Sequence, residues 1–188
     1  MGCTSMAAMP DTLTLEPASQ RLDLLAPAVA AAVAAWDGPV PVERLAVAAI
    51  DPAVADTAAF CARYGVALEE SANCVVVVAR RGGATRLAAC VVLATTRADV
   101  NGLARRELGA RRASFAPMEL AVAASGMEHG GITPVGLPRG WPLLVDAAVA
   151  AAPRVVVGSG LRRSKLWLPG AAVVGLPGAR VLDGLGRR

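Results

Sequence analysis

Two apolar runs, residues 73–79 and 86–95, flank the pair Gly82-Gly83. Continuous apolar runs bounded by a glycine turn predict a hairpin of strands buried on both faces. A two-residue turn there pairs position 75 with position 90 and sends Cys74 and Cys90 to opposite faces. A slip of one residue would pair the two cysteines directly. Shorter apolar runs at 43–50, 114–116, 143–145, 155–157 and 166–168 predict further strands, with a last one at 181–182. Helical stretches alternate with them. The Ala/Leu segment 19–36 predicts a helix in which Pro27 marks a break. Asp51-Pro52 supplies an N-cap and an N1 proline, predicting a helix to Tyr64 with Gly65 as its stop. Residues 99–108 and 117–125 predict two more helices, ended by Gly109 and Gly126. Residues 1–16 read as a frayed start, and 127–142 as a loop. Strands and helices interleave with uneven connections, so the expected class is α+β (mixed α/β): one domain with a mixed, largely antiparallel sheet flanked by helices.

The chain has 188 residues, 55% hydrophobic and only 3% aromatic. One domain with a Val, Leu and Ala core follows. No apolar run reaches the length of a membrane span. There is no basic start followed by an apolar leader, so a cytoplasmic location is expected. Met1-Gly2 suits myristoylation, but position 6 is Met where Ser or Thr is wanted. The four cysteines, at 3, 61, 74 and 90, form no CxxC, and His129 is the only histidine. A zinc site is not expected, and neither is a cofactor. Residues 1–79 carry net −6 and residues 80–188 net +10, for a total of +4. That asymmetry puts a basic surface where phosphate-bearing partners would dock.

The basic half also holds the densest candidate chemistry: Gly130-Gly131-Ile132-Thr133-Pro134-Val135-Gly136-Leu137-Pro138. Proline fixes φ and removes an N–H; glycine permits positive φ and close approach to a ligand. A loop of this composition is either a plain turn or a stiff cradle with bare N–H groups. His129 stands directly before it, and a second glycine segment, Gly158-Ser159-Gly160, precedes a basic cluster that includes Arg162 and Lys165.

This succession resembles the YbaK/EbsC family, the aminoacyl-tRNA editing domain related to the insertion domain of prolyl-tRNA synthetases. The residues that carry the resemblance are the hairpin strand Ala72-Asn73-Cys74-Val75-Val76, the segments Leu108-Gly109-Ala110-Arg111-Arg112-Ala113 and Met118-Glu119-Leu120, the loop Ser125 to Gly136, and Val145-Asp146 with Val157-Gly158-Ser159-Gly160. It spans roughly residues 43–185, which divides the chain into an N-terminal extension with a helix, 1–40, and an editing-like domain, 41–188. The resemblance implies hydrolysis of the ester in wrongly charged tRNA. The implied partners are the 3′ acceptor end of aminoacyl-tRNA and a tRNA synthetase.

Ester hydrolysis needs a placed water and stabilisation of an oxyanion. Backbone N–H groups of Gly130 and Gly131 are the candidate donors. The resemblance implies help from the neighbouring ribose hydroxyl, so no strong base is required. A Ser-His-Asp triad is a poor alternative, because no Gly-x-Ser-x-Gly elbow exists for His129 to serve. Asn73 joins the glycines as a catalytic candidate. Thr133, Pro134, Gly136, His129, Ser159, Gly160, Arg162 and Lys165 are the substrate-binding candidates, with His129 either touching the adenosine or capping the loop.

The chain departs from the family at two places. Family members carry a lysine on the hairpin strand, where Asn73 stands here, and an Asp after the second glycine segment, where Lys165 stands. Lys165 is the only lysine in the chain. Either it restores the cation from the opposite strand or it belongs to a solvated strand end. Two rivals to a deacylase remain: a degenerate member that binds tRNA ends or nucleotides without turnover, and a hydrolase of another small ester.

Overall fold

The computed structural model describes residues 11–188. Residues 1–10, with Cys3 and the Met1-Gly2 start, lie outside the described residues.

Strand β1 is Glu16–Pro17, β2 Ala46–Ala49, β3 Ala72–Arg81 and β4 Ala84–Leu93; β5 is Arg97–Ala98, β6 Arg112–Phe115, β7 Leu143–Asp146 and β8 Val155–Gly158; β9 is Ser164–Leu168, β10 Ala179–Leu182 and β11 Gly186–Arg187. Helix α1 is Pro27–Ala34, α2 Thr57–Tyr64, α3 Arg105–Glu107, α4 Met118–Ser125, α5 Ala147–Ala151 and α6 Gly170–Val174. A four-stranded sheet runs in the order β1-β2-β9-β8, and a five-stranded sheet in the order β10-β7-β4-β3-β6; β5 and β11 form a small pair. Only the β4–β7 and β7–β10 pairings are parallel among the described strands. This is the mixed, largely antiparallel α+β architecture expected.

The hairpin follows from its turn. Gly82 and Gly83 have φ of 56° and 83°. Two positive φ values in a two-residue loop give the twist that antiparallel strands need. The register is Val75 opposite Cys90, as the turn length requires. Cys74 and Cys90 therefore leave opposite faces of the sheet and are free thiols, as is Cys61. Burial pushes the Cys90 thiol up to about 12 and the Cys74 thiol higher still, so neither ionises readily.

The main core lies between the two sheets. Val47, Leu166 and Val157 of the four-stranded sheet meet Ala89, Val91, Leu143 and Val145 of the five-stranded one, and α1, α5 and α6 close the margins with Val29, Val33, Val149 and Val173. A second cluster, with Val77, Cys90, Val100, Ala104 and Leu185, covers the far face of the five-stranded sheet. A third places Phe60 and Cys61 of α2 over Ala48, Val156 and Trp167. The molecule is thus a two-sheet sandwich with helices outside.

Several local expectations are corrected. Pro27 does not break a helix; it opens one, as the first residue of α1, and residues 18–24 form two short 3-10 turns. Proline suits the first turn, where no N–H is needed. The Asp51 cap is real, with its side chain accepting from Ala53 N at 2.8 Å, but it starts a single 3-10 turn, and α2 begins separately at Thr57. Residues 11–17 are docked: Asp11 N donates to Arg63 O at 3.1 Å, and β1 pairs with β2. Residues 100–104 form a π turn before α3, capped by Asp99, which accepts from Gly102 N and Leu103 N. The helices α5 and α6 are too short for a periodic signal.

Candidate active site

The two sheets are joined at one point, a parallel bridge between Ser71 and Val156. Beside it, the start of β3 and the end of β8 diverge and leave a cleft of about 450 Å³. The beginning of α2 gives it Asp56, Thr57 and Phe60; β3 gives Asn73 to Val76; the glycine loop gives His129, Gly130 and Ile132; β8 and β9 give Gly158 and Lys165. Phe115 and Met118 stand at its edge, 56% and 54% exposed.

The two glycine segments are zipped together. Glu128 N donates to Gly160 O at 2.9 Å, and Gly160 N donates to Gly131 O at 2.7 Å. Gly131 N donates to Glu128 O at 2.9 Å. Arg162 adds two ties: its amide donates to Glu128 Oε2 at 2.6 Å, and its guanidinium donates to His129 O at 3.1 Å. The glycines make this fit possible. A Cβ on Gly131 would lie 2.8 Å from Leu161 O, and one on Gly158 would lie 2.7 Å from Ile132 O and press on Gly131 O. Gly130 has φ of 79° and faces only the far end of the Arg162 side chain. Its N–H has no backbone partner among the described residues.

Lys165 is the one buried cation among the described residues. Period-two alternation on β9 puts it on the same face as Trp167, beneath α2. It is 6% exposed, its Nζ donates to Ala55 O at 2.7 Å, and it sits 5.4 Å from the Phe60 ring centroid. Burial lowers its pKa from 10.5 to about 8; Cys61 and Asp56 nearby oppose that shift, and Arg162 adds to it. Asn73 Oδ1 accepts from Thr57 Oγ1 at 2.7 Å.

Four of the eleven residues singled out from the sequence line this cleft: Asn73, His129, Gly130 and Lys165. Gly131 is buried directly behind it. The others lie elsewhere. Thr133 is fully buried, and its Oγ1 has no hydrogen-bond partner among the described residues. Pro134 and Gly136 face a separate hollow against α1, and a Cβ on Gly136 would lie 2.5 Å from Ala28 O. Ser159 is buried and bonds to Ser164 Oγ at 2.8 Å and to Ser164 O at 3.1 Å. Gly160 lets the start of α1 approach, since a Cβ there would lie 3.1 Å from Val29 Cγ2. Arg162 braces the loop from outside. Thr57, Phe60, Ser71 and Phe115 line the cleft without having been singled out. Gly158 carried a signal, the Gly-x-Gly spacing; the α2 residues carried none, because only tertiary folding brings them to β3.

The matching family is the aminoacyl-tRNA editing domain, over residues 51–176. The chain belongs to that family. Among solved structures, a protein assigned as a trans-editing enzyme for prolyl tRNA synthetase is 21% identical, with a TM-score of 0.71, covering 93% of this chain and 100% of its own. A scaffold used for computational epitope backbone grafting is also 21% identical at a TM-score of 0.71, covering 87% of this chain and 97% of its own. A hypothetical protein is 24% identical at 0.63, covering 71% and 85%. These likenesses show the fold. No curated protein matches the chain. Among the described residues, no helix is long and apolar enough to cross a membrane.

Proposed function

We propose that the protein is a trans-acting aminoacyl-tRNA deacylase of the cytoplasm that clears wrongly charged tRNA. The observation that carries this reading is the meeting of Gly130, Asn73 and Lys165 at one cleft in an editing-family fold. Water adds to the ester carbonyl, the bond to the ribose oxygen breaks, and that oxygen takes a proton. Free amino acid and uncharged tRNA result. The Gly130 N–H is the donor for the developing oxyanion, because the Gly131 N–H is already engaged by Glu128 O. One such donor is worth about 3–4 kcal/mol in acyl transfer. The adjacent ribose hydroxyl assists the proton transfers, so the exposed His129 need not act as a base. Lys165 takes the terminal phosphate from β9, in place of a lysine on β3. A relative assigned as a trans-editing enzyme for prolyl tRNA synthetase supports action in trans and a synthetase as a working partner. We further take residues 41–188 as the editing unit, with the first 40 as an extension that contributes α1.

A non-catalytic tRNA-end binder is the second reading, favoured by the neutral Asn73 and the spent Gly131 amide. A screen of mischarged tRNAs, with Ala, Ser, Cys and Thr esters first, separates the two. Turnover of any of them supports the deacylase; binding of all without turnover overturns it.

A further inference from the structure

Beyond the cleft, β3 continues into a ridge of arginine. Arg80, Arg81, Arg86, Arg105, Arg111 and Arg112 line three adjoining hollows formed by the hairpin's far end, β6 and α3, and no Asp or Glu lines any of them. None of the six makes an ion pair among the described residues. Three are tied to backbone carbonyls: Arg81 to Gly109 O, Arg86 to Leu108 O and Arg105 to Asn101 O. The side chains of Arg80, Arg111 and Arg112 are exposed and have no such tie. Arg80 lies directly opposite Arg112 in the β3–β6 register. Like charges opposite each other in a sheet destabilise it, so this pairing does not serve the fold's stability.

The ridge and the cleft lie along the same edge strand, β6, with Arg112 and Phe115 on its opposite faces. β6 runs from Arg112 to Phe115, a span of about 10 Å at strand rise. Phe115 is a mostly exposed ring at the cleft's edge, the kind of surface on which an unpaired base stacks. Arginine forks fit phosphate oxygens in pairs, and exposed cations along a sheet edge that also carries an exposed aromatic ring suit a nucleic-acid strand better than an acidic protein.

We propose that this ridge docks the RNA backbone next to the acylated nucleotide, with Phe115 stacking a base at the cleft mouth. The inference rests on the deacylase reading for which end of the RNA enters the cleft. The test uses the full chain with Arg80→Gln, Arg111→Gln and Arg112→Gln together, and a companion in which the same three become Lys. Binding of uncharged bulk tRNA is measured by filter binding from about 50 to 200 mM salt, a range over which phosphate contacts dominate the change. Turnover is measured in parallel on an aminoacylated adenosine that lacks the rest of the RNA. The Gln protein should bind tRNA at least about tenfold more weakly and lose about 2 from its log–log salt slope, at 0.7–0.9 per phosphate contact. The Lys protein should keep the slope, and both should turn over the short ester like the parent. An unchanged affinity and slope in the Gln protein overturns the ridge and leaves the deacylase standing. Ridge-dependent tRNA binding by a wild type that hydrolyses no ester does the reverse. A wild type that does not bind tRNA at low salt, or binds polyglutamate equally well, overturns the RNA assignment.

Discussion

Replacing Lys165 by Met separates what the fold needs from what the cleft needs. The ammonium is 6% exposed, and its pKa falls from 10.5 to about 8 on burial. That shift sets about 3 kcal/mol against the charged form in the folded state at neutral pH. Methionine relieves the penalty but strips Ala55 O of its donor, a charge-assisted bond worth about 1.5–3 kcal/mol. The two nearly cancel, so Lys165→Met should stay within about 1–2 kcal/mol of the parent at pH 7. The pH dependence has a definite sign. Between pH 8 and 10.5 the unfolded lysine holds a proton that the folded one has lost. Stability therefore rises with pH across that window in the parent, by up to about 3 kcal/mol relative to the Met protein. Below pH 8 the difference is flat. Urea melts of both proteins from pH 7 to 10.5 measure it. Deacylation of a mischarged tRNA gives the other half. Loss of one charge-assisted phosphate contact should raise KM roughly 10- to 150-fold and change kcat little. In the parent, kcat/KM should fall as pH rises through about 8, and in the Met protein that step should vanish. A stability difference that does not vary with pH, or a Met protein with parental KM, refutes the assignment.

Three further outcomes are expected. Gly131→Ala sets a Cβ 2.8 Å from the Leu161 carbonyl, so it should cost about 1–3 kcal/mol in a thermal melt and abolish deacylation. A folded Gly131→Ala protein with full activity would remove the loop from the mechanism. Gly130→Ala meets only the far end of the Arg162 side chain, but its φ of 79° strains a Cβ by about 1–2 kcal/mol; the melt should fall by a few degrees, about what that strain implies, and kcat should fall more than KM rises. Asn73→Lys should weaken substrate binding in the parent, because two cations would then share the cleft, yet restore part of the affinity lost in Lys165→Ala; additive losses on the same binding assay would show that the two positions do not share a ligand group.

Much of the scaffold was legible because strong local signals agreed with tertiary demands. Gly82-Gly83 set both the hairpin and its register, and the αL glycines 65, 109 and 126 end their segments where expected. The misses have local causes. Pro27 reads equally as a breaker or a first helical residue, and only the packing of Val29 and Val33 into the core decides. The five-residue helices α5 and α6 are held by neighbours rather than by a face of their own.

The candidate site was legible only in part, because one motif serves two purposes. Of the glycine loop and its partner segment, Gly130 and Gly158 line the cleft, whereas Gly136 and Gly160 exist so that α1 can lie against the loop. Composition cannot tell a glycine that admits a ligand from one that admits a helix. Lys165 shows the opposite case. Among Arg162 and Arg163 it looks like a solvated strand end, yet it lies inside β9, which is buried along its whole length, while Arg163 precedes the strand, stays exposed and donates to Asp23 O. A buried, partly desolvated ammonium is costly for a sheet that could pack an apolar side chain beside Phe60 and Trp167. Lys165 and the neutral Asn73 of β3 line the same cleft, so under the deacylase reading proposed above that cost is offset where a bound phosphate would need a single cation.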